Sequence, residues 1–176
     1  MTQDSWNPSE FDLALGTMVR EAALVDLVLV MVAKELCGRP YGARLISGES
    51  TSRVLTVCRS LADVHHSIDE QMRVEFKALL TEAKRAFEAR HRYVHGTALP
   101  NGAGKIYAYR TRRLTIAVEC TQVDVDELSK LTEEFRALGL ALSDWGARLL
   151  NPAITEGSDV EEFGPFDDED FGTLET

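Results

Sequence analysis

Apolar residues recur at spacings of three and four through four stretches of this chain, and at spacings of two through one short stretch. The first stretch predicts a helix from about Ser9 to Cys37, opened by Pro8 and Ser9 and stopped by Gly38 and Pro40. Between Ala22 and Ala33 it is apolar nearly all round (Leu24, Val25, Leu27, Val28, Leu29, Val30, Met31, Val32), the pattern of a helix buried on most sides. In a small domain such a helix is either central or also faces a partner subunit. Residues up to Asn7 are expected to fray, and Tyr41–Glu49 reads as a loop. Ser50 or Thr51 can cap a second helix from Ser52 to about His65, with Val54, Leu55, Cys58, Leu61 and Ala62 inward. Ser67 or Asp69 caps a third, from about Glu70 to His95. Met72, Phe76, Leu79, Leu80, Ala83, Phe87 and Val94 make one stripe along it.

Leu99–Gly104, rich in Pro, Asn and Gly, reads as a loop. Lys105–Arg110 and Arg113–Glu119 then alternate apolar with polar or small residues, which predicts a β-hairpin turning near Thr111–Arg112. Asp124 and Glu127 form a capping-box pattern ahead of a last helix. That helix carries the seam Leu128, Leu131, Phe135, Leu138, Leu142, Trp145 and Leu149, and Pro152 ends it. The elements add up to a mainly α fold, a bundle of about four helices with a small β-hairpin before the last one.

Length and charge refine this picture. With 176 residues, 44% of them apolar, the chain suits one domain with a true core, over 1–153. Residues 154–176 read as an acidic, disordered tail with Phe163, Phe166 and Phe171 interleaved. The net charge of −10 would argue against nucleic acid if evenly spread, but it is not. Nine acids beyond Arg148, with no Lys or Arg among them, account for all but one of those charges. Within 84–113 the balance reverses: Lys84, Arg85, Arg90, Arg92, Lys105, Arg110, Arg112 and Arg113 face only Glu88. This basic stretch is the candidate nucleic-acid-binding surface.

The same stretch holds the candidate chemistry. Arg90 falls inside the apolar stripe of the third helix, three residues after Phe87 and four before Val94. A guanidinium there is costly unless something pairs with it. Either it meets a carboxylate such as Asp26, or the face opens to an anionic ligand. His91 sits at the stripe's edge and His95 one turn further on the same side, with Gly96 placed to end the helix.

Arg90–His91–Arg92–Tyr93–Val94–His95 resembles the Arg-x(4–6)-His motif of HEPN domains, small helical bundles of which many are metal-independent ribonucleases of toxin and antiviral systems. The surrounding Glu88–Gly96 is also similar to that family's usual wording, in which the first variable position is often Asn, Asp or His; here it is His91. The resemblance extends loosely over the architecture from about Phe11 to Leu150. It implies an endoribonuclease with Arg90, His95 and His91 as catalytic residues. A histidine near neutral pKa would exchange the proton of a 2′-hydroxyl. An arginine fork would hold the phosphate oxygens. The resemblance also implies a homodimer whose motifs face each other, RNA as substrate, and an antitoxin or defence-system partner. Some relatives carry a modified Tyr two residues after the histidine. This chain has Thr97 there, which puts that form of regulation in doubt. The alternative function is a non-catalytic module that grips nucleic acid or an acidic partner.

Other chemistries find little support. The histidine pair at i, i+4 has a zinc-like spacing, but no HExxH and no nearby carboxylate or cysteine completes a ligand set, so no metal and no cofactor are expected. There is no Walker loop, dinucleotide fingerprint or serine-nucleophile motif. His65 and His66 read as solvent-facing helix-end residues. Cys37, Cys58 and Cys120, odd in number and without a CxxC, read as reduced core fillers of a cytoplasmic protein. No signal peptide or membrane span is expected, since charges flank the short apolar run of the first helix.

Overall fold

The computed structural model describes residues 8–38, 44, 46–95, 97–100, 106–111 and 118–151. The helices form where the apolar spacing predicts them: α1 (Pro8–Cys37), α2 (Thr51–Val64), α3 (Glu70–Val94) and α4 (Val125–Leu150). Their ends are chemical. Gly38 takes φ 73° just past α1, a conformation that only glycine adopts without strain. Ser50 accepts from Arg53 N (3.4 Å), Asp69 from Met72 N (2.7 Å) and Asp124 from Asp126 N (3.0 Å), each satisfying one of the open donors of a first turn.

The helices pack in the cyclic order α1–α2–α3–α4. α1 against α4 is the most extensive pair. Gly146 of α4 suits that close approach, since a methyl added there would stand 3.1 Å from Val32 Cγ2, whereas one at Gly139 would meet Val25 Cγ2 at an ordinary 3.6 Å. The core is centred on Trp145, Phe76, Phe135, Met18 and Leu29, all fully buried. Trp145 stacks on Phe76 with centroids 3.9 Å apart, and its Nε1 donates to Met72 O at 3.0 Å, so a large apolar ring is buried with its one donor satisfied. Arg73 fixes the turn between α2 and α3 by donating to Ala62 O (3.0 Å) and Ile68 O (3.1 Å). Lys77 pairs with Asp63 across the same junction. These contacts set the angle of the groove described below.

Four expectations are corrected. The β element is a three-stranded antiparallel sheet in the order β1 (Thr97–Pro100), β2 (Ile106–Thr111), β3 (Val118–Val123), not a single hairpin. Thr97 pairs with Tyr109 and Pro100 with Ile106, so part of the expected Leu99–Gly104 loop is strand. Pro100 is tolerated because β1 is an edge, where a missing N–H costs no ladder bond. The partner of β2 is also later than the alternation of Leu114, Ile116 and Val118 suggests. Ile106 faces Val123 and Thr111 faces Val118, so β3 runs directly into the Asp124 cap. The connection 112–117 lies outside the described residues.

Second, α1 is not buried on most sides. Ala22, Val25, Leu29 and Val32 form its inner seam, while Leu24, Leu27 and Met31 are more than half exposed on the opposite face. Third, only Cys58 fills the core, where burial pushes its thiol up to about 12. Cys37 is half-buried and Cys120 is exposed on β3. Fourth, His65 is less exposed than expected: it C-caps α2, stacks on His66 at 5.3 Å and accepts from Ser67 N. The Glu127 carboxylate accepts from Tyr93 Oη at 2.8 Å, tying α4 to the end of α3. The expectations of fraying up to Asn7 and of an acidic, disordered tail over 154–176 fall outside the described residues.

Candidate functional site

The α3 stripe is built as the periodicity requires. Phe76, Leu80, Ala83, Ala86 and Tyr93 are buried, and Leu79, Phe87 and Val94 are half-buried beside them. Arg90 lies in this stripe, half-buried. Its Nε is out of contact with solvent and has no hydrogen-bond partner. The carboxylate that would make it a purely structural cation does not reach it: Asp26 Oδ1 is itself buried without a partner, and among the described residues no ion pair joins the two.

Arg90 faces a groove between the start of α2 and the second half of α3, a cavity of about 870 Å³. Leu55, Leu80 and Phe87 supply apolar wall; Arg59, Lys84, Arg90 and His91 supply cations or potential cations. Ser50, Thr51, Ser52, Thr56 and Thr81 add hydroxyls, and the first three of these set the start of α2, the positive end of its dipole, at the groove wall. Arg59 Nη2 donates to Thr81 Oγ1 at 3.0 Å, bridging the two helices. The one acid in the lining, Glu88, lies 3.9 Å from Lys84 Nζ. An anion in this groove meets fixed donors and almost no repulsion.

His91 and His95 stand one turn apart at the end of α3, ring centroids 4.2 Å apart and tilted by 54°. His95 is the C-cap, its backbone N–H bonded to His91 O at 3.3 Å, and both rings are exposed. The three residues singled out as catalytic are thus brought together as a chain, with Arg90 and His91 in the groove and His95 against His91.

The basic stretch does not form one surface. Lys84 joins the groove, but Arg85 and Arg92 lie on another side of α3. They line a second hollow of about 630 Å³ with Tyr93, Glu127, Lys130 and Glu134. There Arg85 is paired with Glu134 at 3.3 Å, and Tyr93 is pushed up to about 12 by burial and by its bond to Glu127. Arg110 sits on β2 opposite Glu119 in the ladder, and Lys105, Arg112 and Arg113 fall outside the described residues. The sequence reading missed the α2 half of the groove. Part of its signal was present: Ser52, Thr56 and Arg59, at i, i+4 and i+7, share a polar face bordered by Leu55 and turned away from Val54 and Cys58. Among the described residues, no group of three or more His, Cys, Asp or Glu could hold a metal, and no helix is long and apolar enough to cross a membrane.

Comparison of the chain with protein-family models, with curated proteins and with solved structures finds no match to any of the three.

Proposed function

We propose that the protein is a HEPN-like, metal-independent endoribonuclease acting through Arg90, His95 and His91. The observation that carries this reading is the orphaned Nε of Arg90 on a buried stripe, with its side chain lining a cationic groove and the His91–His95 pair at its end. An unpaired guanidinium in such a place makes sense if an anion completes it.

In the proposed reaction His95 takes the proton of an RNA 2′-hydroxyl. The 2′-oxygen bonds to the adjacent phosphorus, the bond from phosphorus to the 5′-oxygen breaks, and that oxygen takes a proton from water as it leaves, the hydroxide so formed being neutralised by the proton that His95 later gives up. Arg90 stabilises the charge on the non-bridging oxygens as it builds. His91, in ring contact with His95, orients it or hydrogen-bonds the phosphate. A homodimer that sets two such motifs near a two-fold axis belongs to the same proposal. The exposed Leu24, Leu27 and Met31 give α1 an apolar face that a partner subunit could also cover.

The test is RNA cleavage by purified protein with and without EDTA. Cleavage is expected to survive the chelator and to vanish in His95→Ala with the circular dichroism unchanged. Arg90→Ala should lose about 3 kcal/mol of transition-state stabilisation. Metal-dependent cutting that both variants retain refutes the assignment. RNA binding without cutting leaves the protein as a nucleic-acid-binding module.

A further inference from the structure

The groove is far larger than the one phosphate that Arg90 would grip. At about 870 Å³ it lies in the upper part of the range of about 300–1,000 Å³ that accommodates whole small ligands. Half of its lining comes from α2, which contributes nothing to the Arg90–His91–His95 chain. That half is mostly polar: a run of hydroxyls (Ser50, Thr51, Ser52, Thr56) and the exposed Arg59, with Leu55 as its one apolar residue. On the α3 side Lys84 and Arg90 follow one another along the wall, with Phe87 between them. Spaced donors with an aromatic face among them suit a chain of phosphates carrying bases. They suit an acidic peptide less well, because its carboxylates have no ring to place on Phe87.

We propose that the α2–α3 groove of a single subunit is the seat of the RNA strand. Arg59 and the α2 hydroxyls hold the phosphates flanking the one at Arg90, and the part of Phe87 that lines the groove, its ring otherwise packed edge-to-face with Phe135 at 5.1 Å, gives a base an apolar surface. This rests on the ribonuclease reading but assigns residues outside its motif. Arg59 is a binding residue that positions the strand, and its bond to Thr81 holds the guanidinium across the groove before the ligand arrives.

The probe is a short fluorescent single-stranded 2′-O-methyl oligoribonucleotide, which cannot be cut through its 2′-oxygen, titrated by anisotropy from about 50 to about 200 mM salt. Arg59→Gln, an exposed substitution, should weaken binding about tenfold, the worth of one charge-assisted hydrogen bond. It should also reduce the slope of log affinity against log salt by about one. The Ser52→Ala, Thr56→Val double variant should weaken binding severalfold with the slope unchanged, because it removes donors but no charge. Arg136→Gln on α4 makes the same charge change outside the groove and should match the wild type. A wild-type protein that does not bind the probe overturns the proposal. So does Arg59→Gln indistinguishable from Arg136→Gln, or a polyglutamate of equal charge that binds as tightly. A strand that binds with the expected Arg59 dependence while natural RNA is never cut supports the seat and refutes the nuclease. Loss of binding in Arg90→Gln with Arg59→Gln silent refutes the seat and leaves the Arg90 site.

Discussion

Replacing Arg90 by methionine should make the protein more stable and less able to bind RNA. The side chain lies between Phe87 and Val94 on the face that α3 turns to the core, and its Nε is shut from solvent with no acceptor. A buried donor left unsatisfied costs about 1–3 kcal/mol. Methionine keeps a long flexible stem among the same apolar neighbours and removes that donor and the charge. Part of the guanidinium borders the open groove and loses favourable hydration on removal, so the lower end of the range applies, a gain of about 1 kcal/mol. For a chain of this size that raises Tm by about 2–4 °C. Differential scanning calorimetry in phosphate-free buffer measures the shift, and anisotropy with the oligoribonucleotide measures the lost affinity. Arg90→Lys separates charge from geometry, since it keeps the cation and loses the planar fork. A fall in Tm of several degrees for Arg90→Met would mean that Arg90 is held by a structural partner, and the case for an anion completing it would fail.

Other positions give independent checks. Tyr93→Phe removes the hydroxyl bonded to Glu127 and should cost about 1 kcal/mol, because the donor is buried but the acceptor is exposed. The fold raises this phenol from 10.0 to about 12, so its contribution is full below pH 10 and is lost as pH rises toward 12. Wild-type stability, followed by urea denaturation, should therefore fall more steeply over that window than that of Tyr93→Phe; parallel curves would contradict the assignment. Gly139→Ala should stabilise by about 0.5–1 kcal/mol in thermal melts, since the added methyl meets Val25 at ordinary contact distance and the helix gains propensity. Gly146→Ala should gain less, because Val32 must give way. Light scattering at micromolar concentration should report a homodimer; a strictly monomeric mass would contradict it, and a dimer that Leu27→Glu splits would put the interface on the exposed face of α1.

The helices were legible because their information is local and redundant. Each has a period, a cap and a stop, and Ser50, Asp69, Asp124 and Gly38 mark ends that the structure keeps. The sheet was less legible because pairing is decided between strands. The alternation through Leu114, Ile116 and Val118 fits a strand in more than one register, and Pro100 conceals an edge strand. The exposed face of α1 misled for a related reason: an all-apolar helix shows no period with which to say which side packs. At the site, the α3 residues could be read from one stripe of one helix. Arg59 and the α2 hydroxyls could be read only as a polar face of α2, because it takes the packing of α2 against α3, with Arg73 and Lys77 at the junction, to bring that face opposite Arg90. Sequence proximity also grouped Arg85 and Arg92 with Arg90, whereas the helical turn sends them to another side of α3.

The most direct test of the central claim is the chemistry of the cut ends. RNA incubated with the protein in excess EDTA should yield fragments ending in a 2′,3′-cyclic phosphate or its hydrolysis product, read by mass spectrometry, with none from His95→Ala. Fragments bearing a 5′-phosphate and a free 3′-hydroxyl, or cyclic ends formed equally by His95→Ala, would show that the 2′-hydroxyl is not activated by this histidine and would contradict the account.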